Sequence, residues 1–463
     1  MVEQLAQVHN STAKEALERF CGYLPEKWTL QDICFLISEI FGPSIIKMIE
    51  RKMNADVACH ALQLCKQEAG QPFCHLYPLP KVSLTCKLEM RAMQKPKGRT
   101  IHYFFQHISK VILMTLPYED FDGDKFSIFP TLRGYYWRGR DCDDADGVDP
   151  KDGIPYEQKF CTESKGVIIL GDSASAHFHI PPEWVTASQM SRKAFSNLPE
   201  ALPNELDWPQ FSEATGFLNS TIGGWTESIY LQLLRRNRCN HRDYQNLSKN
   251  DFSFIFSIFS LARNQQFDKP AIVFFSMVGN DVCNGYPDTV KHMTQPEKMR
   301  SNVLQTLRHL DSHLPKGSHV ILIGLVDGRF LWDNLHKRYH PLGQLNKDVT
   351  YEQFYSFLSC LRVSSSQLSD ILKEIEKLEK FTNFDLFYMD YPIKEITEML
   401  QKMGGEAWQL IEPVDGFHPS QIASALGARI VWNKILHKWP HVLGQENPFN
   451  NEIAMIFKHQ GGH

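Results

Sequence analysis

The stretch that decides the fold is Gly166-Val-Ile-Ile-Leu170, which runs directly into Gly171-Asp172-Ser173-Ala174. Aliphatic residues bounded by glycines are typical of a short strand that is buried on both faces of a parallel sheet. Gly171 permits a sharp turn, which places Ser173 at the carboxyl edge of the sheet, where open α/β folds bind ligands. Ser173 is therefore a candidate nucleophile, although Gly-Asp-Ser is also an ordinary turn sequence.

Three further apolar runs have the same buried-strand pattern, at Ala271–Val278, at His319–Leu325 and, more weakly, at Phe384–Met389. Helical patterns lie between them, from Glu297 to His313 and from Gln367 to Lys380. Alternation of strands and helices indicates a parallel sheet covered by helices on both faces. The sequence therefore predicts an α/β fold with three layers.

Candidates for the other parts of a serine hydrolase site lie further along the chain. Asp415 stands three residues before His418, so both side chains can reach one site from the same loop. His418 would take the serine proton as general base, and Asp415 would orient the ring. The Asn280 amide would bind an oxyanion together with the backbone N–H groups of Ser173 and Gly216. Each of these segments is, taken alone, also compatible with an ordinary loop.

Two pairs of histidines have spacings that metal sites use. His177 and His179 follow Ser173, but no cysteine or carboxylate motif of zinc spacing accompanies them, so pocket lining or packing is the better interpretation. His336 and His340 are one helical turn apart without the glutamate of a metalloprotease motif. This spacing favours surface histidines.

Length and composition indicate an ordinary globular protein. The 463 residues suggest two or three domains, and 43% of them are hydrophobic. A net charge of -4 gives no reason to expect a nucleic-acid partner. No apolar run approaches the roughly 20 residues of a membrane span. The first residues, Met1 to Val8, lack the features of a signal peptide.

The cysteines and possible glycosylation sites point to an oxidising compartment. Six of the eleven cysteines lie in the first 86 residues, as in a disulfide framework. Glycosylation triplets begin at Asn10, Asn219 and Asn246. We therefore expect a secreted or lysosomal protein and an amino terminus that is incomplete in this sequence.

The chain divides into four parts by pattern. Residues 1–74 are helical, with Pro25 and the Gly42-Pro43 pair between short amphipathic helices. Residues 75–115 form a connector with a basic, protease-sensitive stretch near Lys95, although an uncut linker is equally consistent with it. An acidic segment occupies residues 116–161, and the α/β part occupies residues 162–463.

The acidic segment is a candidate calcium site. Its carboxylates alternate with glycine and small residues, which suits a hard cation that takes six to eight oxygen ligands. The candidate ligands are Asp120, Asp122, Asp124, Asp141, Asp143, Asp144, Asp146, Asp149 and Asp152. Calcium here would be structural, and a solvated acidic loop is the alternative. Cys142 and Cys161 are candidates to close the segment as a disulfide.

The helical part resembles the later portion of a saposin-like domain, a small fold that binds lipids. The resemblance rests on Cys21, Leu24-Pro25, Cys34, Cys59 and Cys65 with the surrounding helical pattern. It implies a disulfide between Cys21 and Cys34. In that family Cys59 and Cys65 would bond to a cysteine pair of the first helix, which this sequence lacks, so we expect a truncated domain. A generic helical bundle with buried thiols is the alternative.

The order of the candidate active-site segments resembles the SGNH, or GDSL, hydrolase family, with its three-layer α/β/α fold. The whole chain resembles the acyloxyacyl hydrolase family through three further phrases, at residues 129–134, 204–208 and 240–245. This resemblance implies a serine esterase that removes secondary fatty acyl chains from lipid A of bacterial lipopolysaccharide. It also implies peripheral contact with lipid aggregates or membranes, and cleavage into two subunits joined by Cys74 and Cys360.

Two alternatives remain open at this point. One is a broader phospholipase or acyltransferase, and the other is a lipid-binding or transfer protein without catalysis. Neither of them, nor the esterase, requires an organic cofactor.

Overall fold

A computed structural model gives the structure of most of the α/β part and of the first helices. It describes residues 1–51, 53, 55–56, 76–77, 151–154, 156–202, 204–249, 261, 263–277, 293–358 and 366–457. Most of the predicted connector and most of the predicted calcium segment lie outside these residues.

The centre of the described structure is a sheet of five parallel strands. They are β1 (Gly166–Gly171), β2 (Tyr244–Asn246), β3 (Ala271–Ser276), β4 (Ser318–Ile323) and β5 (Phe384–Met389). Their order across the sheet is β2-β1-β3-β4-β5, with Val167 of β1 opposite Tyr244 of β2 and Ile272 of β3. The parallel sheet that the sequence predicted is therefore confirmed, and β2 is a fifth strand that it did not predict.

Helices precede and connect the strands. The α-helices of the described residues are α1 (Val2–His9), α2 (Ala13–Tyr23), α3 (Leu30–Glu50), α4 (Tyr156–Phe160), α5 (Ser173–Ala176), α6 (Leu198–Ala201), α7 (Ile229–Arg236), α8 (Pro296–His313), α9 (Arg329–Leu335), α10 (Tyr351–Leu358), α11 (Ser366–Leu378), α12 (Ile393–Lys402), α13 (Gln421–Lys438) and α14 (Asn450–Phe457). The two helices that the sequence predicted between strands correspond to α8 and α11.

The sheet is covered by helices on both faces, because successive side chains of a strand point to opposite sides. On one face, Val273 shares a buried cluster with Leu307 of α8 and Leu372 of α11. On the other face, Ile272 shares a second buried cluster with helix α7 and with Ile435 of α13. These two layers confirm the predicted three-layer α/β/α arrangement and hold the carboxyl ends of the strands at one edge.

The first helices form a separate small layer. Helix α2 begins with a capping box, in which Thr12 and Glu15 each accept a hydrogen bond from the other's backbone N–H. The prediction that Gly42-Pro43 separates two helices is wrong, because α3 continues through Pro43. Gly42 is buried beside Leu17 of α2.

This layer packs against the α/β part of the chain. Leu5 is buried in one cluster with Trp184 and Trp208, and the rings of Phe20 and Phe195 meet edge to face at 5.8 Å. Within the described residues, no helix combines the length and the apolar character needed to cross a membrane.

Candidate active site

The turn after β1 places Ser173 at the carboxyl edge of the sheet. Asp172 caps helix α5, since its Oδ1 accepts the N–H of Ala174 at 3.1 Å. Gly171 is required here, because a Cβ would lie 2.3 Å from the Cβ of Ser175. The turn therefore brings Ser173, which is only 6% exposed, to the amino end of α5.

Three side chains form a continuous hydrogen-bonded chain at this edge. The Oγ of Ser173 lies 2.6 Å from Nε2 of His418, and Nδ1 of His418 lies 2.8 Å from Oδ2 of Asp415. The other oxygen of Asp415 accepts the N–H groups of Phe417 and His418 at 2.7 and 3.0 Å. Because Nδ1 faces a carboxylate, it carries the hydrogen, and Nε2 is left to accept the serine proton.

The electrostatics of the pair favour a basic histidine beside an ionised aspartate. Burial alone would raise the pKa of Asp415, but the charge of His418 and the hydrogen bonds to it outweigh burial and lower the pKa. For His418, burial alone would lower the pKa, whereas Asp415 outweighs that effect and raises it. His418 is therefore a stronger base than an ordinary histidine.

A second histidine-carboxylate pair lies next to the Ser173–His418–Asp415 chain. Nδ1 of His179 is 2.6 Å from Oε2 of Glu412, and both residues are buried. Burial raises the pKa of Glu412. The neighbouring His177 is also buried, which lowers its pKa to about 3. The expectation that His177 and His179 pack or line the site is confirmed. The sequence did not predict the role of Glu412, although it stands three residues before Asp415.

The predicted oxyanion donors have different outcomes. The N–H of Gly216 donates to the carbonyl of Ser212 at 2.8 Å, and a Cβ on Gly216 would lie 2.5 Å from that oxygen. In the arrangement shown the glycine allows close backbone packing and its N–H is engaged with Ser212, and the oxyanion role of this N–H stays a prediction. Asn280 lies outside the described residues. Its role, like that of the Ser173 N–H, stays a prediction.

The structure also corrects the expectation for His336 and His340. His340 is buried and not at the surface, and its Nε2 lies 2.6 Å from the carbonyl oxygen of Val414, next to Asp415. His336 is half-buried just after α9, with Nδ1 2.6 Å from the carbonyl oxygen of Trp332.

Two disulfides occur among the described cysteines. Cys21 and Cys34 are bonded, as the saposin-like resemblance implied. Cys161 is bonded to Cys239, so the expected pairing of Cys142 with Cys161 is wrong. The reason is that Cys239 follows α7 and lies beside Cys161 in the fold although 78 residues separate them. Cys74 and Cys360 lie outside the described residues.

The three glycosylation triplets differ in exposure. Asn10 and Asn219 are exposed, and glycosylation at both stays a prediction. Asn246 is wrong as a glycosylation site, because it is buried in β2 and its Nδ2 donates to the Ser175 carbonyl and to Thr215 Oγ1 at 3.2 and 3.0 Å. A sugar on Nδ2 would remove these hydrogen bonds.

The predicted calcium ligands lie largely outside the described residues. Asp152 is the member of the set that the structure describes, and its two oxygens accept hydrogen bonds from the Lys159 side chain at 2.8 Å and the Ile154 N–H at 3.1 Å. Calcium binding therefore stays a prediction.

Within the described part of the chain, one other group has metal-ligand chemistry. His319, Asp385 and His441, at the amino end of β4 and β5, place ligand atoms within 4.8 Å of one another. However, the Nζ of Lys165 lies 2.8 Å from Nε2 of His319. Burial is the main reason that the pKa of His319 is lowered to about 3, and the charge of Lys165 lowers it further. An ammonium group here repels a cation, so we interpret these residues as a polar cluster in which Lys165 contacts a neutral His319, at the edge opposite Ser173.

The parallel sheet and the Ser173–His418–Asp415 arrangement together define a serine hydrolase. A family model described as GDSL-like Lipase/Acylhydrolase matches residues 167–430, and one described as Saposin-like domain matches residues 1–118. The acyloxyacyl hydrolase of Homo sapiens is 53% identical and that of Mus musculus is 52% identical, each alignment covering 100% of this chain and 92% of the relative. The chain belongs to the acyloxyacyl hydrolase family, and it is a hydrolase that acts on esters.

Proposed function

We propose that this chain is a serine lipase that hydrolyses the esters by which secondary acyl chains are attached in bacterial lipopolysaccharide. The observation that carries the proposal is the hydrogen-bonded chain from Ser173 through His418 to Asp415. It occurs in a chain that is 53% identical to a protein named acyloxyacyl hydrolase. This name describes an ester in which one acyl chain is carried by another.

The first half of the reaction transfers the acyl group to the enzyme. Ser173 Oγ attacks the ester carbonyl carbon while its proton moves to Nε2 of His418. The resulting imidazolium is stabilised by Asp415. When the tetrahedral intermediate collapses, the bond to the leaving oxygen breaks, and His418 returns the proton to the released hydroxyl group.

The second half releases the fatty acid. His418 takes a proton from water, whose oxygen attacks the acyl-enzyme carbonyl, and Ser173 leaves with the proton that His418 returns. In both halves the carbonyl oxygen becomes negative in the tetrahedral intermediate and needs hydrogen-bond donors. We assign this role to the Ser173 N–H and the Asn280 amide, which would supply hydrogen bonds without a net charge.

The saposin-like helices would bring the enzyme to lipid. Helix α3 exposes Phe35, Leu36 and Ile40, the latter two being 48% and 53% exposed. Leu36 and Ile40 are one helical turn apart and therefore form one apolar surface. Such a surface suits acyl chains at the boundary of an aggregate or membrane, so the proposed partners are lipopolysaccharide and phospholipid aggregates.

The two disulfides support an oxidising compartment, since such bonds are rare in the cytosol. We therefore propose that the protein works outside the cell or in lysosomes. A form that is cleaved into two chains and joined by Cys74 and Cys360 is part of the same proposal.

Calcium is proposed as a structural ion of the acidic segment. Its aspartates, from Asp120 to Asp152, would repel one another without a cation. Removal of calcium with a chelator is expected to lower the melting temperature, and added calcium to restore it, without a change in which residues are needed for catalysis. An unchanged melting curve after chelation contradicts this proposal.

The test of the function compares the parent protein with Ser173→Ala. Each is incubated with lipopolysaccharide and with phospholipid, and the released fatty acids are measured. Ser196→Ala, at an exposed serine outside the site, is the matched control. We expect the parent and Ser196→Ala to release fatty acid from lipopolysaccharide, and Ser173→Ala to release at least about a thousandfold less.

Three outcomes decide between the candidates. Equal activity of Ser173→Ala and the parent makes the serine mechanism wrong. Release from phospholipid alone makes the lipopolysaccharide assignment wrong and favours a phospholipase. Binding of lipid without release of fatty acid by the parent favours a non-catalytic lipid-binding protein.

A further inference from the structure

The loop that carries the acid and base of the site, residues 411–419, is closed on itself. Ile411 pairs with Pro419 in an isolated antiparallel bridge, and the N–H of Glu412 donates to the carbonyl of His418 at 2.8 Å. The N–H of Gly416 donates back to the carbonyl of Glu412 at 2.9 Å. These bonds fix the shape of the loop, but they do not fix its position relative to Ser173.

Side chains from outside the loop hold three of its carbonyl groups. The hydroxyl of Tyr355 donates to the carbonyl of Gly416 at 2.6 Å, and the hydroxyl of Tyr351 donates to the carbonyl of Pro413. Nε2 of His340 donates to the carbonyl of Val414 at 2.6 Å.

We infer that Tyr351, Tyr355 and His340 are positioning residues for the reaction, holding the Asp415–His418 loop so that His418 meets Ser173. We call them the loop clamp. The inference rests on the proposed serine mechanism and adds to it three residues that do not touch the reacting atoms. The inference concerns Asp415 in particular, because the carbonyl groups held by the clamp lie on both sides of Asp415 in the chain.

The three donors keep their hydrogens under working conditions. Nδ1 of His340 accepts the N–H of Leu342 at 3.2 Å, so the hydrogen of the neutral ring lies on Nε2, facing Val414. Burial lowers the pKa of His340, which keeps the ring neutral. Burial also raises the pKa of Tyr351 and Tyr355, which keeps both hydroxyls protonated.

The rings of the clamp also pack against the loop. Gly416 has a φ of +63°, and a Cβ there would lie 2.9 Å from Tyr351 Cε1 and 3.2 Å from Tyr355 Cε1. The opposite side of the loop is tied to the segment after Ser173 by the buried pair of Glu412 and His179. The loop is therefore held between helix α10 and the nucleophile segment, and Tyr351 and Tyr355 of the clamp supply the α10 side.

The inference makes a kinetic distinction. The clamp residues act through Asp415 and His418, so a variant should change the chemical step and leave substrate binding intact. Small displacements of a catalytic group cost rate steeply. We therefore expect kcat to fall and KM to stay within about twofold.

The experiment uses a soluble short-chain ester, so that lipid docking does not affect the rate. Tyr355→Phe is expected to lower kcat about tenfold, and the double variant Tyr351→Phe/Tyr355→Phe about a hundredfold. His340→Gln keeps a donor near the position of Nε2 and should retain kcat within about threefold, whereas His340→Leu should lose about tenfold. Tyr388→Phe, which removes a hydroxyl that donates to Asp390, is the control and should match the parent.

A second readout separates positioning from general stability. Because Asp415 raises the pKa of His418, a displaced loop should move the acid limb of kcat/KM to lower pH in Tyr355→Phe but not in Tyr388→Phe. Unchanged kcat and pH profile in the double variant, with Ser173→Ala inactive, overturn the inference and leave the serine mechanism intact. A fall in kcat without a shift of the acid limb, or equal losses in His340→Gln and His340→Leu, also overturns it. An active Ser173→Ala overturns the proposed function itself.

Discussion

Asp415 uses its two carboxylate oxygens for different purposes. Oδ1 accepts two backbone N–H groups of its own loop, and Oδ2 faces Nδ1 of His418. Because the backbone fixes which oxygen points to the ring, the carboxylate selects the tautomer of His418 without any further side chain. Asp172 stands beside Ser173 in the sequence, but it caps α5 and does not take this part.

Asp415→Asn should therefore remove activity without unfolding the protein. The amide oxygen would keep the two backbone hydrogen bonds, so the NH2 group would face Nδ1 and force the hydrogen of His418 onto Nε2. His418 then cannot accept the proton of Ser173. We expect kcat to fall by roughly three to four orders of magnitude. The measurement is kcat on a soluble ester, with the exposed Asp327→Asn as control, and a loss of less than tenfold would mean that another group orients His418.

The activity should depend on pH through His418. Only the neutral ring accepts the serine proton, so activity is lost as the pH falls through the pKa of His418. Asp415 raises this pKa, which places the acid limb of kcat/KM above the pH expected for an ordinary histidine. The limb is measured with the soluble ester between about pH 4 and 9, where histidine and the carboxylates titrate. An acid limb below the ordinary histidine value would contradict the described contact between His418 and Asp415.

At the scale of elements, apolar runs made the strands predictable. Strands β1, β3 and β4 are buried almost throughout their six residues, whereas β5 is buried only at its first and last residue. The ends of all four strands lie within two residues of the predicted ones. Strand β2 was missed because it has three residues, of which Gln245 and Asn246 are polar. Its burial depends on pairing with β1, which local sequence does not show. The prediction of a helix break at Pro43 was wrong for a similar reason. The packing of α3 against α2 outweighs the local tendency of proline to end a helix.

The contrast between local pattern and long-range contacts also explains which parts of the site could be predicted. Ser173 and the Asp415–His418 pair follow recognisable turns at strand or helix ends, so their residue types and spacing indicated their chemistry. His340 and Glu412 act through partners that are more than 70 residues distant in sequence, and a single buried histidine or glutamate has no local pattern. The packing role of Gly216 could not be predicted, because in sequence a glycine needed for close backbone packing looks the same as one that exposes an N–H.

The carboxyl group of the half-buried Glu213 lies between three parts of the fold. It accepts the hydroxyl of Tyr391 at 2.8 Å, just after β5, and a Cβ on Gly427 of α13 would lie 2.6 Å from its Oε2. Burial raises its pKa from the ordinary value of 4.5 to about 8. Between these two values the folded state holds a proton that the unfolded state has lost.

The free energy of unfolding should therefore decrease as the pH rises from about 4.5 to about 8 through this group, by roughly 2–4 kcal/mol. Glu213→Gln keeps a neutral group of the same shape and should remove this contribution. Urea unfolding at pH 5 and pH 8 tests it, with Glu297→Gln on α8 as control. The expectation fails if the difference between the two pH values is the same in Glu213→Gln and the parent.

At the scale of the whole molecule, the first helices have two different surfaces. Leu5 and Ala16 of α1 and α2 are buried against Trp184 and Phe211 of the α/β part. Helix α3 packs on α2 while it leaves apolar side chains exposed. Packing fixes one surface to the α/β part and leaves the other exposed, and the exposed surface is where the proposed contact with lipid would be made.

This division predicts that lipid docking and chemistry can be separated by mutation. Leu36→Ser/Ile40→Ser removes exposed apolar surface without touching the buried contacts of α1 and α2, so stability should change little. We expect kcat/KM on aggregated lipopolysaccharide to fall about tenfold, because burying two such side chains in lipid is worth a few kcal/mol, of which only part is realised at an interface. On the soluble ester kcat/KM should be unchanged. Leu378→Ser, which alters an exposed leucine on α11, is the matched control. Equal losses on both substrates would show that α3 supports the active site and does not dock lipid.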